Sequence, residues 1–294
     1  MDTQTLFDDF KKQYPDIRPD YTIDQHWHHY TAADHRTWKT LYERLEVLLP
    51  RYVCPEFLDG MHRLDIGRDQ IPEFTELSRR LSTLTGWSIV AVPGLVPDDI
   101  FFDHLANRRF PAGNFIRKPD QLDYIEQPDV FHDVFGHVPM LAHPVFADYI
   151  EAYGKGGLRA LNAFHALPNL ARLYWYTVEF GLIRTPQGMK VYGAGIASST
   201  AETVYSIDDP SPNRIGFELE RVMRTKYRID DFQESYFVID SFDQLFAETY
   251  KDFAPIYESL KSGPTYEPGH VLSTDIVHHR GTRTYKAHTH ALSA

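Results

Sequence analysis

The chain has 294 residues, 43% of them hydrophobic and 14% aromatic, enough to bury a large core. Its 41 acids and 30 bases leave a net charge of −11, which argues against a nucleic-acid backbone as partner. One cysteine, Cys54, excludes an intrachain disulfide, and no uncharged apolar run reaches the roughly 18 residues of a membrane span. With no apolar core of signal-peptide type at the N-terminus, these features lead us to expect a cytoplasmic protein with Cys54 as a small buried thiol.

Residues 1–30 are polar, carry Pro15 and Pro19, and suggest an extended lead-in. Trp38, Leu41, Tyr42, Leu45, Leu48 and Leu49 then recur at helical spacing, with Pro50 as the expected stop. Pro72 opens a second helix, with Phe74, Leu77, Leu81 and Leu84 on one side and Gly86 as its end. The segment from Trp87 to Val92 is short and β-branched, and is expected to be a strand. Two helical segments follow, one holding Phe131 to Met140 and the other running from Asn169 to Ile183. Short strands are expected at 190–192 and 236–239. From residue 262 the apolar periodicity ends, and His270, His278, His279, His288 and His290 fall in what reads as a mobile polar tail, 262–294. The expected fold is mainly α with a few short β-strands, and residues 31–261 read as one undivided domain.

Two features carry chemistry. In FHDVFGHVPM, His132 and His137 are five apart, which on an ideal α-helix separates them by about 140°. They can meet on one ion only if the helix is distorted or ends between them, near Gly136 and Pro139. Otherwise they are two histidines hydrogen-bonded at a helix end. In LYWYTVEFGLI, Glu179 is the only charge in an otherwise apolar run. A lone buried carboxylate is costly, so it needs a cation: Arg172, Arg184 or a metal ion. Two imidazoles and a carboxylate suit iron(II) with three positions left open, but zinc takes the same donors, so a hydrolase stays possible at this point.

Three stretches carry a resemblance: PDVFHDVFGHVP from Pro128, YWYTVEFG from Tyr174 and YGAGIASS from Tyr192. They look like the iron-site and third signatures of the pterin-dependent aromatic amino acid hydroxylases. The similarity extends from Trp38 to about Ile239 and is greatest to the short bacterial members that act on phenylalanine. It implies a single catalytic domain, monomeric, in which His132, His137 and Glu179 bind iron(II) and are the catalytic residues. Arg117 would hold the amino-acid carboxylate, since a guanidinium forks onto a carboxylate. Tyr124, Trp175, Ser198 and Ser199 would complete the substrate site.

A tetrahydropterin would stack on Phe101 near the Gly94-Leu-Val96 loop, with Val96, Asp133 and Tyr174 around it. Asp133 stands where animal members carry glutamate, and Ile125 where they carry threonine. Glu202 would stand behind a ligand histidine and fix its tautomer. Ile229 and Trp175 both favour phenylalanine over tyrosine or tryptophan as substrate. The implied reaction takes L-phenylalanine, oxygen and tetrahydropterin to tyrosine and oxidised pterin. A zinc hydrolase on the same donors would need neither oxygen nor reductant.

Overall fold

The computed structural model describes residues 3–125, 127–164, 166–248 and 250–285. Helices dominate, around two small sheets. In the first, β1 (Ser88–Val92) pairs in parallel with β2 (Arg109–Gly113). The second contains β3 (Leu182–Thr185), β4 (Gly188–Val191), β5 (Asn213–Gly216), β6 (Ser235–Ile239) and β7 (Val277–His279), in the order β4-β3-β6-β5-β7. The β3–β4 hairpin and the β5–β7 pair are antiparallel, while β6 runs parallel to both its neighbours.

The helix Ala32–Glu46 is closed at its start by a reciprocal cap between Thr31 and Asp34, and buries Trp38, Leu41 and Leu45. It ends before Pro50, which sits instead in the first turn of the next helix, Leu49–Tyr52, where a proline loses no hydrogen bond. The helix Phe74–Thr85 begins two residues after Pro72, with Glu73 at the N-cap position making no side-chain cap. Gly86 ends it with φ +77, in the left-handed region that suits a glycine. The run from Asn169 divides: helix Leu167–Tyr174, a π-helical segment Trp175–Glu179, and then β3, which takes Leu182 and Ile183 out of the helix.

Both termini differ from the extended and mobile segments expected of them. Residues Thr3–Gln13 form a helix, and Phe7 packs edge-on against Tyr21, ring centroids 5.2 Å apart. The proline-rich part of the lead-in begins only after it. At the other end, β7 extends the second sheet, and a buried pair joins Arg221 to Asp275 at 2.8 Å. Ser235 also donates to the Pro268 carbonyl at 2.6 Å. Sheet pairing and one buried ion pair thus hold a polar segment that has no apolar periodicity of its own. His270, His278 and His279 lie in this ordered part, while His288 and His290 lie outside the described residues.

Aromatic packing seats the centre of the molecule. Phe131 and Phe135 stack at 4.7 Å, and Trp38 and Tyr42 meet them edge-on at 5.1 and 5.3 Å. Full burial of each phenylalanine stabilises by about 1.5–3 kcal/mol, so this cluster fixes the helix that carries both histidines. Among the described residues, no helix is long and apolar enough to cross a membrane.

Close helix packing makes one glycine necessary and leaves another free. A Cβ on Gly154, in the helix Pro144–Arg159, would run into the backbone of Leu105 and Ala106, in the helix Asp98–Ala106. Two residues on, a Cβ on Gly156 would meet nothing within 4 Å. In urea unfolding, Gly154→Ala should therefore lose roughly 1–3 kcal/mol through overpacking. Gly156→Ala should lose nothing and gain up to about 1 kcal/mol of helix propensity. Equal effects at the two positions would contradict this packing.

Candidate metal centre

The histidine spacing that is wrong for an α-helix is right for the helix that forms. Phe131–His137 is wound as a π-helix, whose bonds run from i to i+5 and bring residues five apart to one side. Phe131 and Phe135 face the aromatic cluster, and His132 and His137 face away from it together. Glu179 ends the second π-helical segment, Trp175–Glu179. The two windings converge: His137 Nε2 lies 3.2 Å from His132 Nε2 and 3.1 Å from Glu179 Oε1, and His132 Nε2 lies 3.5 Å from Glu179 Oε2.

Donors that share one ion through bonds of about 2.1 Å stand roughly 3 to 3.4 Å apart, so this triangle can close on a single ion. Neither flanking arginine reaches the carboxylate. Arg172 donates to the Met223 carbonyl and Arg184 pairs with Asp240, which removes the salt-bridge explanation of Glu179. Burial alone would raise the Glu179 carboxyl, yet the two histidines hold it well below the usual carboxylate range. Three converging donors, two neutral and one anionic, suit iron(II), although zinc accepts the same set.

The third glycine-rich motif fits between the two windings. A Cβ on Gly136 would lie 2.9 Å from the Ala194 carbonyl oxygen, and one on Gly193 would run into the backbone of Glu179 and Gly181. This close approach delivers Ser198, whose Oγ meets His132 Nδ1 at 3.0 Å and donates to the Ala194 carbonyl at 2.8 Å. With that hydroxyl proton committed, Ser198 accepts from Nδ1–H and leaves Nε2 as the donor to a metal.

This corrects the expectation for Glu202. Its Oε1 accepts from Tyr236 Oη at 2.7 Å and from the Gln233 N–H at 3.3 Å, and the position behind His132 belongs to Ser198. Glu202 is fully enclosed, and burial pushes its carboxyl up to about 7. Ser199, expected in the substrate site, accepts from the Glu202 N–H and caps the helix Thr200–Asp208.

Arg117 is no solvated loop charge: it is 7% exposed and locked to Asp129, which is wholly buried. Asp129 accepts from Arg117 Nε and Nη2 at 2.9 Å each, and also from the backbone N–H groups of Arg117 and His132. One carboxylate therefore aims the guanidinium, leaves Nη1 uncommitted and ties down the first turn of the ligand helix. Asp129 lies inside the first motif, three residues before His132, but with Glu126, Gln127 and Asp133 nearby nothing in the sequence marks it out.

Beside the triangle, Tyr174 lies with its ring 6.3 Å from that of His137, and Phe101 meets Tyr174 edge-on at 5.8 Å. Phe110 of β2, not expected from the sequence, packs 5.0 Å from His137. Asp133 Oδ2 accepts from the Gly113 N–H at 2.8 Å, and burial pushes its carboxyl up to about 6. Trp175 stacks on Tyr227 at 4.3 Å, and its Nε1 donates to Gln233 at 2.9 Å. Val96 is half-buried at the mouth of the loop before the helix Asp98–Ala106. Two residues stand apart: Tyr124 is 52% exposed and Ile229 68%. Asp133 also groups with His132 and His137 as a possible metal donor, but its Oδ2 is held by the Gly113 N–H, whereas both Glu179 oxygens face the imidazoles. The described tail histidines form no such group.

A family model described as biopterin-dependent aromatic amino acid hydroxylase matches residues 3–266. A phenylalanine-4-hydroxylase of Caulobacter vibrioides is 60% identical over 271 residues, 92% of each chain. One of Ralstonia nicotianae is 58% identical over 287 residues, 96% of this chain and 91% of the relative. Solved structures of the Chromobacterium violaceum phenylalanine hydroxylase cover 88% of this chain and 94% of theirs. One, with bound oxidised Fe(III), has a TM-score of 0.86 at 58% identity. Another, with iron and phenylalanine bound, has 0.85 at 57%.

The Ser198 contact yields a direct prediction. Ser198→Ala leaves His132 Nδ1–H without its acceptor, and iron(II) affinity should fall by about 10- to 100-fold while the fold is kept. Competition against a chelator measures this, and unchanged affinity would remove Ser198 from the support of the site.

Proposed function

Because the chain belongs to the biopterin-dependent aromatic amino acid hydroxylases, we infer from its own side chains how it performs that family's reaction. The protein is an iron- and tetrahydropterin-dependent monooxygenase that converts L-phenylalanine to L-tyrosine with oxygen. One oxygen atom ends in the tyrosine hydroxyl and the other leaves with the oxidised pterin.

In our reading His132, His137 and Glu179 hold the iron, and the convergence of their donor atoms within 3.5 Å is the observation that carries it. When bound, the iron supplies a redox centre that activates oxygen with electrons from the reduced pterin. The three donors would take one side of the ion and leave its other side to the reactants. Arg117 presents Nη1 to the carboxylate of phenylalanine, with Asp129 fixing its direction. The indole of Trp175 forms a wall for the substrate's ring. Ser198 holds His132 in the tautomer that donates through Nε2.

The pterin stacks on Phe101 beside Tyr174, with Val96 and the backbone of its loop at the edge. Asp133 bonds it through water, its reach being one methylene shorter than that of a glutamate, and Gly113 holds its Oδ2 in place. Tyr124 and Ser199 contribute at the rim, Tyr124 from an exposed loop and Ser199 by holding the helix that follows. Aromatic walls exclude water from the reacting centre, so the clamp on the carboxylate can aim the ring carbon at the open face. A monomer in the cytoplasm is part of the same proposal, supported by the buried thiol of Cys54 and the acidic balance of the chain.

The test supplies iron(II), a tetrahydropterin, oxygen and each aromatic amino acid in turn, and follows oxygen uptake and hydroxylated product. Tyrosine from phenylalanine should be the main product, and Arg117→Lys should raise KM for phenylalanine by at least about tenfold with a smaller change in kcat. No oxygen uptake with any amino acid, or an unchanged KM in the variant, would contradict the reading.

A further inference from the structure

The indole of Trp175 is gripped on several sides. Tyr227 stacks on it at 4.3 Å with planes 15° apart, and Phe180 packs at 4.6 Å. Stacking fixes the plane of a ring but resists sliding and rotation within that plane only weakly. Those two motions are stopped by one polar contact, from Trp175 Nε1 to Gln233 Oε1 at 2.9 Å.

Gln233 is built for that contact. It is 1% exposed, and its Nε2 donates to the carbonyls of Arg228 at 2.9 Å and Asp231 at 3.4 Å. A flipped amide would set its oxygen against two carbonyl oxygens and its donor against the indole N–H, so only one orientation satisfies every group. The Gln233 backbone N–H donates to Glu202, which also accepts from Tyr236 in β6. The glutamine is thus anchored to the second sheet, and Trp175 is anchored to the glutamine. Trp175 in turn opens the π-helical segment that ends at Glu179.

We propose that Gln233 is a positioning residue for the hydroxylation: by pinning Nε1 of Trp175 it sets where the substrate's ring lies relative to the metal. The proposal rests on the reading that Trp175 forms the wall for that ring. Ring placement decides which carbon is hydroxylated and whether pterin oxidation is coupled to product. A ring held loosely leaves the electrons of the pterin to reduce oxygen to hydrogen peroxide, two electrons and two protons for each oxygen molecule. Placement errors of a fraction of an ångström matter at this step.

The experiment uses the full chain as the parent, Gln233→Met, Trp175→Phe and the double variant. Gln233→Met keeps the volume and removes both halves of the amide's bonding. In metal-free protein, the indole N–H resonance that Trp175→Phe abolishes should shift upfield and exchange faster with solvent in Gln233→Met. In iron-loaded protein with phenylalanine, Gln233→Met should form about 3- to 10-fold less tyrosine per pterin oxidised. Meta-hydroxylated product should appear, and oxygen consumption should fall much less than tyrosine formation. In the Trp175→Phe background, Gln233→Met should cause no further loss, because its partner is already gone.

An unmoved indole resonance in Gln233→Met overturns the clamp. A moved resonance with unchanged coupling and product pattern overturns the positioning role, as does an equal loss in the Trp175→Phe background. Failure of the underlying functional reading is a separate result, since the parent itself would then make no tyrosine.

Discussion

Two π-helical turns aimed at one point are the constraint on which the rest of this structure depends. An α-helix would send His132 and His137 to different sides and leave one of them in the aromatic core. The wider winding gives one face to the phenylalanines of the core and another to the imidazoles. The same device at Trp175–Glu179 turns a carboxylate out of an apolar run toward those imidazoles. Such windings have poorer backbone geometry than α-helices, so something must hold them. Stacked aromatic rings hold the first from outside, and the Gly193–Ala194 backbone wedges between the two from inside.

Around that point, buried polar groups are joined in hydrogen-bonded chains. Ala194, Ser198 and His132 form one such chain, and Asp129, Arg117 and the first turn of the ligand helix form another. Removing one member of such a chain strands a buried group, which costs more than the lost bond itself. Arg117 and the backbone of His132 share Asp129, so one side chain sets the placement of the guanidinium relative to the imidazole. Trp175 is tied to the second sheet through Gln233 and Glu202, which links that small sheet to the segment that ends at Glu179.

Much of this was legible before any coordinates. Periodicity located the helix at Trp38 and the one ending at Gly86, and β-branched content located β1 and β6. Glu179 alone among apolar residues asked for a cation, and the two histidines asked for a helix that departs from α geometry. What the sequence did not reveal depends on contacts made from far along the chain. β2 contains a proline and a glycine and has no β-branched residue, so it carries no pattern. The segment from 264 to 285 is polar, and is held by pairing with β5 and by bonds with Arg221, Ser235 and Asn213 far along the chain. The family resemblance pointed to Glu202 as the support of a histidine, but the turn after Ala194 delivers a serine beside His132 and points the glutamate at Tyr236.

The central claim is that both imidazoles and the Glu179 carboxylate share one iron. X-ray absorption at the iron edge of the iron(II)-loaded protein tests it most directly. The account predicts a shell of nitrogen and oxygen atoms at about 2.1 Å with the multiple-scattering signature of two imidazoles. In Glu179→Ala, both imidazoles should remain while a protein oxygen is lost from the shell and affinity falls. A parent spectrum that requires only one imidazole, or a Glu179→Ala shell and affinity identical to the parent's, would contradict it.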